Sequence, residues 1–239
     1  MSQNETYGDR TATYARCIGI LALKELAMTT IDADIQSAQH AAEVEVPAVT
    51  GDPALIGLPS FIVGSVALGL VLVGYVSAAG VGASLPIIVA ATALGLTIAA
   101  IWAAAVGQSA VAGVFGIFAG FWLSYATLVL GLTHNWFAIA AGDALHTQGL
   151  FVISWLVVIG MLTLATLRLP VVYTLLFALI EIALVLVLIG TLQQSAGTLK
   201  VGGVVVFVFA AVGVYLFFNA ASQSTGGKAL PLGNPVVRG

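Results

Sequence analysis

The chain has 239 residues, of which 60% are hydrophobic and only 7% are Asp, Glu, Lys or Arg, against roughly 25% charged in ordinary soluble domains. So few charges cannot clothe a water-facing surface, and the uncharged runs are continuous and about 20 residues long, the length of a membrane-crossing helix rather than the short alternating segments of a membrane barrel. A net charge of -3 offers no basic face to nucleic acid, and no Gly-x-x-x-x-Gly-Lys-Ser/Thr run is present to cradle a nucleotide's phosphates.

Residues 1–51 read as a soluble N-terminal tail that holds most of the acid: of the ten Asp and Glu, only Asp52, Asp143 and Glu181 lie beyond it. The apolar run over 17–23 is too short to span a bilayer and is broken by Lys24 and Glu25, which also argues against a secretory signal. Residues 10–28 read as an amphipathic helix that lies on the membrane surface, caps a pore mouth or binds a partner; a weakly ordered linker is the alternative.

At Asp52 the pattern changes. Asp52 followed by Pro53 has the form of a helix N-cap with proline at the first helical position. Six spans are predicted, over 53–77, 84–107, 110–132, 147–168, 170–192 and 201–222. The fold class is thus an all-α integral membrane protein with a six-helix domain over 52–222 and a short C-terminal tail over 223–239. Connections are short except for 133–146, where Trp136 and Phe137 suit an interfacial aromatic belt. Lys and Arg beside helix ends are retained in the cytoplasm during insertion. With both termini inside a cell membrane, Arg10, Arg16, Lys24, Arg168, Lys228 and Arg238 are cytoplasmic and only Lys200 is outside.

Within the spans, glycine lets helix backbones approach closely where lipid provides no hydrophobic drive. Gly113, Gly116 and Gly120 fall on one stripe of the third span and read as a helix-packing surface, inside a subunit or between subunits. Glu181 sits near the middle of the fifth span, where an ionised carboxylate in hydrocarbon is costly. It must face protein or water, either as a proton-coupling or path-lining group or as a protonated carboxyl held by a neighbouring Ser, Thr or Asn. His40, His134, His146 and Cys17 are scattered without metal-ligand spacing, and no nucleophile–base pair lies within the spans. No metal, cofactor or enzymatic chemistry is expected.

Several patterns, in the same order along the chain, resemble those of the acetate uptake transporter family, which includes the bacterial succinate-acetate permeases. Asp52-Pro53-Ala54-Leu55-Ile56-Gly57-Leu58, followed by Phe61, is similar to that family's Asn-Pro-Ala-Pro-Leu-Gly-Leu signature, with Asp52 in place of asparagine and Leu55 in place of the second proline. Gly120-Phe121-Trp122-Leu123 resembles its Ser-Phe-Trp-Leu segment, and Trp155, the run from Phe177 to Gly190, Tyr215-Leu216 and Leu230-Pro231-Leu232-Gly233 also fit. The second span lacks the usual glycine pair with glutamine. The resemblance implies a six-helix protomer, a homohexamer in membrane lipid, and a path through each protomer for acetate and similar small carboxylates. Carried over by position, the constriction of that path is Phe61, Phe118 and Ile180, with Phe118 standing where the permeases have tyrosine.

The expected function is a channel or proton-linked carrier for small monocarboxylates. Two alternatives stand beside it: a channel for neutral solutes such as ammonia, urea or short amides, which Asp52 and Glu181 suit better, and a non-transporting membrane subunit that docks a protein partner through the acidic tail.

Overall fold

The computed structural model describes residues 23–37 and 50–237. The chain divides into two units, residues 1–48 and 49–239. In the first unit, helix α1 covers 23–37. Of the helix expected over 10–28, residues 10–22 lie outside the described residues. From 23 the helix runs past the expected end to 37, because no glycine or proline interrupts 29–37.

Among its described residues, the second unit contains six helices long and apolar enough to cross a membrane: α2 (Ala54–Val73), α3 (Gly80–Ala105), α4 (Ser109–His134), α5 (Ala144–Ala165), α6 (Val171–Leu192) and α7 (Ala196–Ser224). The protein is thus a multi-pass all-α membrane protein. Successive helices alternate in direction, so the N-terminal ends of α2, α4 and α6 lie on the same side as the C-terminal ends of α3, α5 and α7.

Most boundaries shift by a few residues from expectation, and two of the shifts have a clear local cause. The first span ends at Val73 rather than 77, because Gly74 adopts φ 86 and turns the chain while the Tyr75 N–H donates to the Leu70 carbonyl at 2.9 Å. The last helix starts at Ala196 rather than 201: Ser195 caps it by accepting from the Thr198 N–H at 3.3 Å, and Lys200, which interrupts the apolar run, is an exposed side chain in the second turn. At the first span, Asp52 caps as predicted, its Oδ1 accepting from the Ala54 N–H at 2.9 Å.

Around the bundle, the neighbours run α4, α3, α2, α7, α6, α5, so the first and last spans pack directly on each other. That contact depends on glycine: a Cβ on Gly203 would lie 2.8 Å from Val73 Cγ1 and 3.1 Å from the Gly69 carbonyl oxygen. The ring closes between α4 and α5 through large side chains, with Phe121 meeting Trp155 at 5.3 Å and Phe151 at 5.7 Å between ring centroids. α3 is irregular, beginning in a tight 3-10 stretch and carrying a π-helical segment over Ile88–Ala93. Thr92 in that segment is fully buried against Gly64 of α2, and its hydroxyl has no partner among the described residues.

Candidate functional site

A ring of six helices leaves space along its middle, and two cavities occupy it. The larger has a volume of about 360 Å³, and the smaller, about 30 Å³, is lined only by apolar and aromatic residues. Three residues border both: Phe61 from α2, Phe118 from α4 and Ile180 from α6. Each is only 5% exposed. The three residues assigned to the constriction by position therefore converge from three alternate helices of the ring and form the wall the two cavities share.

The Phe61 and Phe118 rings meet edge to face at 5.2 Å, and Phe209 and Phe177 back them at 5.7 and 5.9 Å. Local structure fixes Phe61. Pro59 lies within α2 and has no N–H for the Leu55 carbonyl, while the Ser65 hydroxyl, fully buried, donates to the Phe61 carbonyl at 2.7 Å.

The larger cavity is graded in polarity. Leu58, Leu96, Phe115, Leu176, Phe177 and Leu216 line its apolar part. Its polar residues are Asp52, Gln108, Thr166, Tyr173, Asn219 and Gln223, each at or near a helix end on the side shared by the start of α2 and the end of α7. Among the described lining residues, Asp52 is the one carboxylate and there is no Lys or Arg. The cavity thus runs from hydrogen-bonding groups at one end to an aromatic wall at the other.

The signature residues divide by role. Asp52, Ala54 and Leu58 line the larger cavity, Pro53 is fully buried, and Gly57 is packed beneath Phe115, with no room for a Cβ. Glu181 borders neither cavity. It turns toward α5, with Oε1 3.7 Å from where Gly160 would carry a Cβ, and its buried Oε2 has no partner among the described residues. In the glycine stripe, a Cβ on Gly120 would stand 3.8 Å from Trp155 and one on Gly116 3.8 Å from Ala100, whereas Gly113 has nothing within 4 Å. Gly113 and Gly116 are exposed on the outside of the protomer.

Apart from Asp52, sequence reasoning missed the polar half of the cavity, and it matched Leu230–Gly233 to the family without placing that segment beside the cavity. Residues 228–237 run back over the end of the bundle as a strap. The Tyr215 hydroxyl donates to the Pro231 carbonyl at 2.8 Å, Asn219 Oδ1 accepts from the Leu230 N–H at 2.9 Å, and the Ser222 hydroxyl donates to the Lys228 carbonyl at 2.7 Å. Further on, the Val172 N–H donates to the Leu232 carbonyl at 3.3 Å and the Val237 N–H to the Leu167 carbonyl at 3.0 Å. The available signal was the spacing of Tyr215, Asn219 and Ser222, which places three polar groups on one face of an otherwise apolar helix.

A curated relative, Accumulation of dyads protein 2 of Saccharomyces cerevisiae, is 28% identical over 175 residues, covering 69% of this chain and 59% of that protein. The chain thus spans somewhat over half the length of that relative. The solved structure of the bacterial acetate channel SatP superposes with a TM-score of 0.67 at 20% identity, covering 77% of this chain and 99% of that one, a likeness of fold. The model of the GPR1/FUN34/yaaH family matches residues 36–227. The resemblance drawn from the signature and the aromatic segments is borne out, and the chain belongs to the GPR1/FUN34/yaaH family.

Proposed function

We propose that this protein passes acetate and similar small monocarboxylates across a membrane, along a path inside each protomer that narrows at Phe61, Phe118 and Ile180. The observation that carries the reading is that these three side chains, from α2, α4 and α6, are the shared border of the two cavities on the bundle's middle. A small, partly dehydrated solute crosses such a wall when the rings give way, whereas larger solutes and a hydrated ion are held back. The family relationship and the acetate channel of like fold support the substrate class. The test is radiolabelled acetate uptake into proteoliposomes; a rate no faster than that of protein-free vesicles ends the reading.

The protein is a homohexamer in the cell membrane with both termini cytoplasmic, so the polar end of the larger cavity opens to the cytosol. The outward-facing Gly113 and Gly116 suit a contact between protomers. Proton linkage, for which Glu181 is the candidate, takes a restricted form: the carboxyl neighbours Ile180 in sequence but faces α5, so coupling acts through α6 rather than by touching the solute.

A second reading is favoured by Asp52, whose carboxylate lines the larger cavity with no Lys or Arg beside it among the described residues. It assigns the path to neutral solutes such as urea or short amides. Vesicle swelling separates the two: flux that stays constant while acetic acid goes from neutral to ionised supports the neutral-solute reading.

A further inference from the structure

The substrate reading leaves open which group recognises a carboxylate oxygen in a cavity whose described lining holds no cation. One polar side chain there is held in a defined orientation by something outside the cavity. Asn219, in the penultimate turn of α7, is 7% exposed and lines the larger cavity. Its Oδ1 accepts the Leu230 N–H of the strap at 2.9 Å. Exchanging the amide's oxygen and nitrogen would set a donor against a donor, so the strap fixes which end is which.

The consequence lies at the other end of the amide. Asn219 Nδ2 has no acceptor among the described residues, and it is not among the buried atoms sealed away without a partner. A primary amide whose oxygen is taken has only N–H groups left to offer. Asp52, the carboxylate of the same lining, already accepts from the Ala54 N–H, and Gln223 turns its Nε2 toward the Asn219 carbonyl at 3.3 Å. Asn219 is thus the one lining side chain whose donor is oriented by a second element of the chain and left unused.

We propose that Asn219 is a specificity-determining residue of the path: its Nδ2 donates to an oxygen of the carboxylate as the solute passes from the polar end of the cavity to the aromatic wall, and Leu230 of the strap keeps that donor presented. The inference rests on the acetate reading given above. A neutral donor suits a transported anion, because it identifies the carboxylate without holding it as tightly as an ion pair would, and a solute that must leave again gains from weak binding.

The test is an isosteric exchange read as a ratio. Asn219→Asp keeps an oxygen for the Leu230 N–H but replaces the donor with an acceptor. Flux of labelled acetate and of labelled acetamide is measured in the same proteoliposome preparations, after each protein has been shown to elute from a sizing column as a single species. The acetate-to-acetamide ratio is expected to fall by about tenfold or more, the size of a lost hydrogen bond to a charged partner, because the amide group of acetamide can donate to the new carboxylate. A purely structural role lowers both fluxes together, and an unchanged ratio overturns the proposal. No acetate flux through the unaltered protein instead overturns the acetate reading itself. A second measurement needs no variant: in protein labelled with 15N at asparagine side chains, the Asn219 amide resonance shifts as acetate is added, and its failure to move at acetate levels that saturate uptake also overturns the inference.

Discussion

Phe61 and Phe118, one on the first span and one on the third, meet edge to face with ring centroids 5.2 Å apart and planes inclined at 72°. The pair contributes to the fold as an aromatic contact and, in the proposed function, closes the path. Substitutions at either ring therefore trade stability against selectivity, and the two effects can be measured separately.

Phe118→Ala removes the ring that bridges Phe61 and Phe177 and joins the two cavities. Acetate flux is expected to rise, and the preference for acetate over butyrate to fall by about tenfold or more, since each fitted methylene is worth about 1–3 kcal/mol. Paired uptake assays in proteoliposomes check this. Unchanged discrimination would remove Phe118 from the constriction.

Asp52→Asn keeps an oxygen for the Ala54 N–H and so preserves the helix cap, since asparagine and aspartate cap about equally well. It removes the carboxylate from the lining of the larger cavity. Acetate uptake is expected to increase by about threefold at low ionic strength and by less at high salt, because salt screens charge at the solvent-facing end of the path. A rate independent of both substitution and salt would take the carboxylate out of the solute's route.

Gly203→Val and Gly116→Val separate packing within the protomer from contacts between protomers. The first places methyl groups against Val73 and the Gly69 carbonyl, and is expected to abolish the folded monomer in detergent. The second meets only Ala100 within the protomer, so the bundle should fold while the oligomer falls apart, as read by light scattering. A Gly116→Val protein that assembles normally excludes this face from the subunit contact.

Glu181→Gln is expected to leave acetate exchange under equal pH within about twofold of the unaltered protein, because the side chain borders neither cavity. Accumulation driven by a pH gradient should be lost. If both assays are unaffected, proton coupling does not run through this carboxyl.

The reach of the sequence differs from element to element. The six spans were legible because hydrocarbon demands long uncharged runs. The start of α7 was not, since Lys200 breaks its run while Ser195, five residues earlier, supplies the cap. Phe61, Phe118 and Ile180 were identified by position along a resemblance; helical periodicity alone would not have separated them from the many other apolar residues in the spans. Glycine spacing pointed to Gly113, Gly116 and Gly120, yet the tightest approaches within the protomer are at Gly95, against Ser60, and at Gly57, beneath Phe115. Spacing along one helix shows that a smooth face exists but not which helix comes to rest on it. Asn219 was invisible as a site because its meaning depends on Leu230, which follows the bundle and turns back onto it.

The packing of α2 against α7 carries a consequence for biogenesis. A chain inserted span by span has its opening helix in the bilayer long before the closing one has left the ribosome. The seat formed by Gly69 and its neighbours stays vacant until Gly203 arrives. A nascent chain stalled before the last span thus leaves this face of α2 unmated, and α2 and α7 can pack together only after that span has left the ribosome.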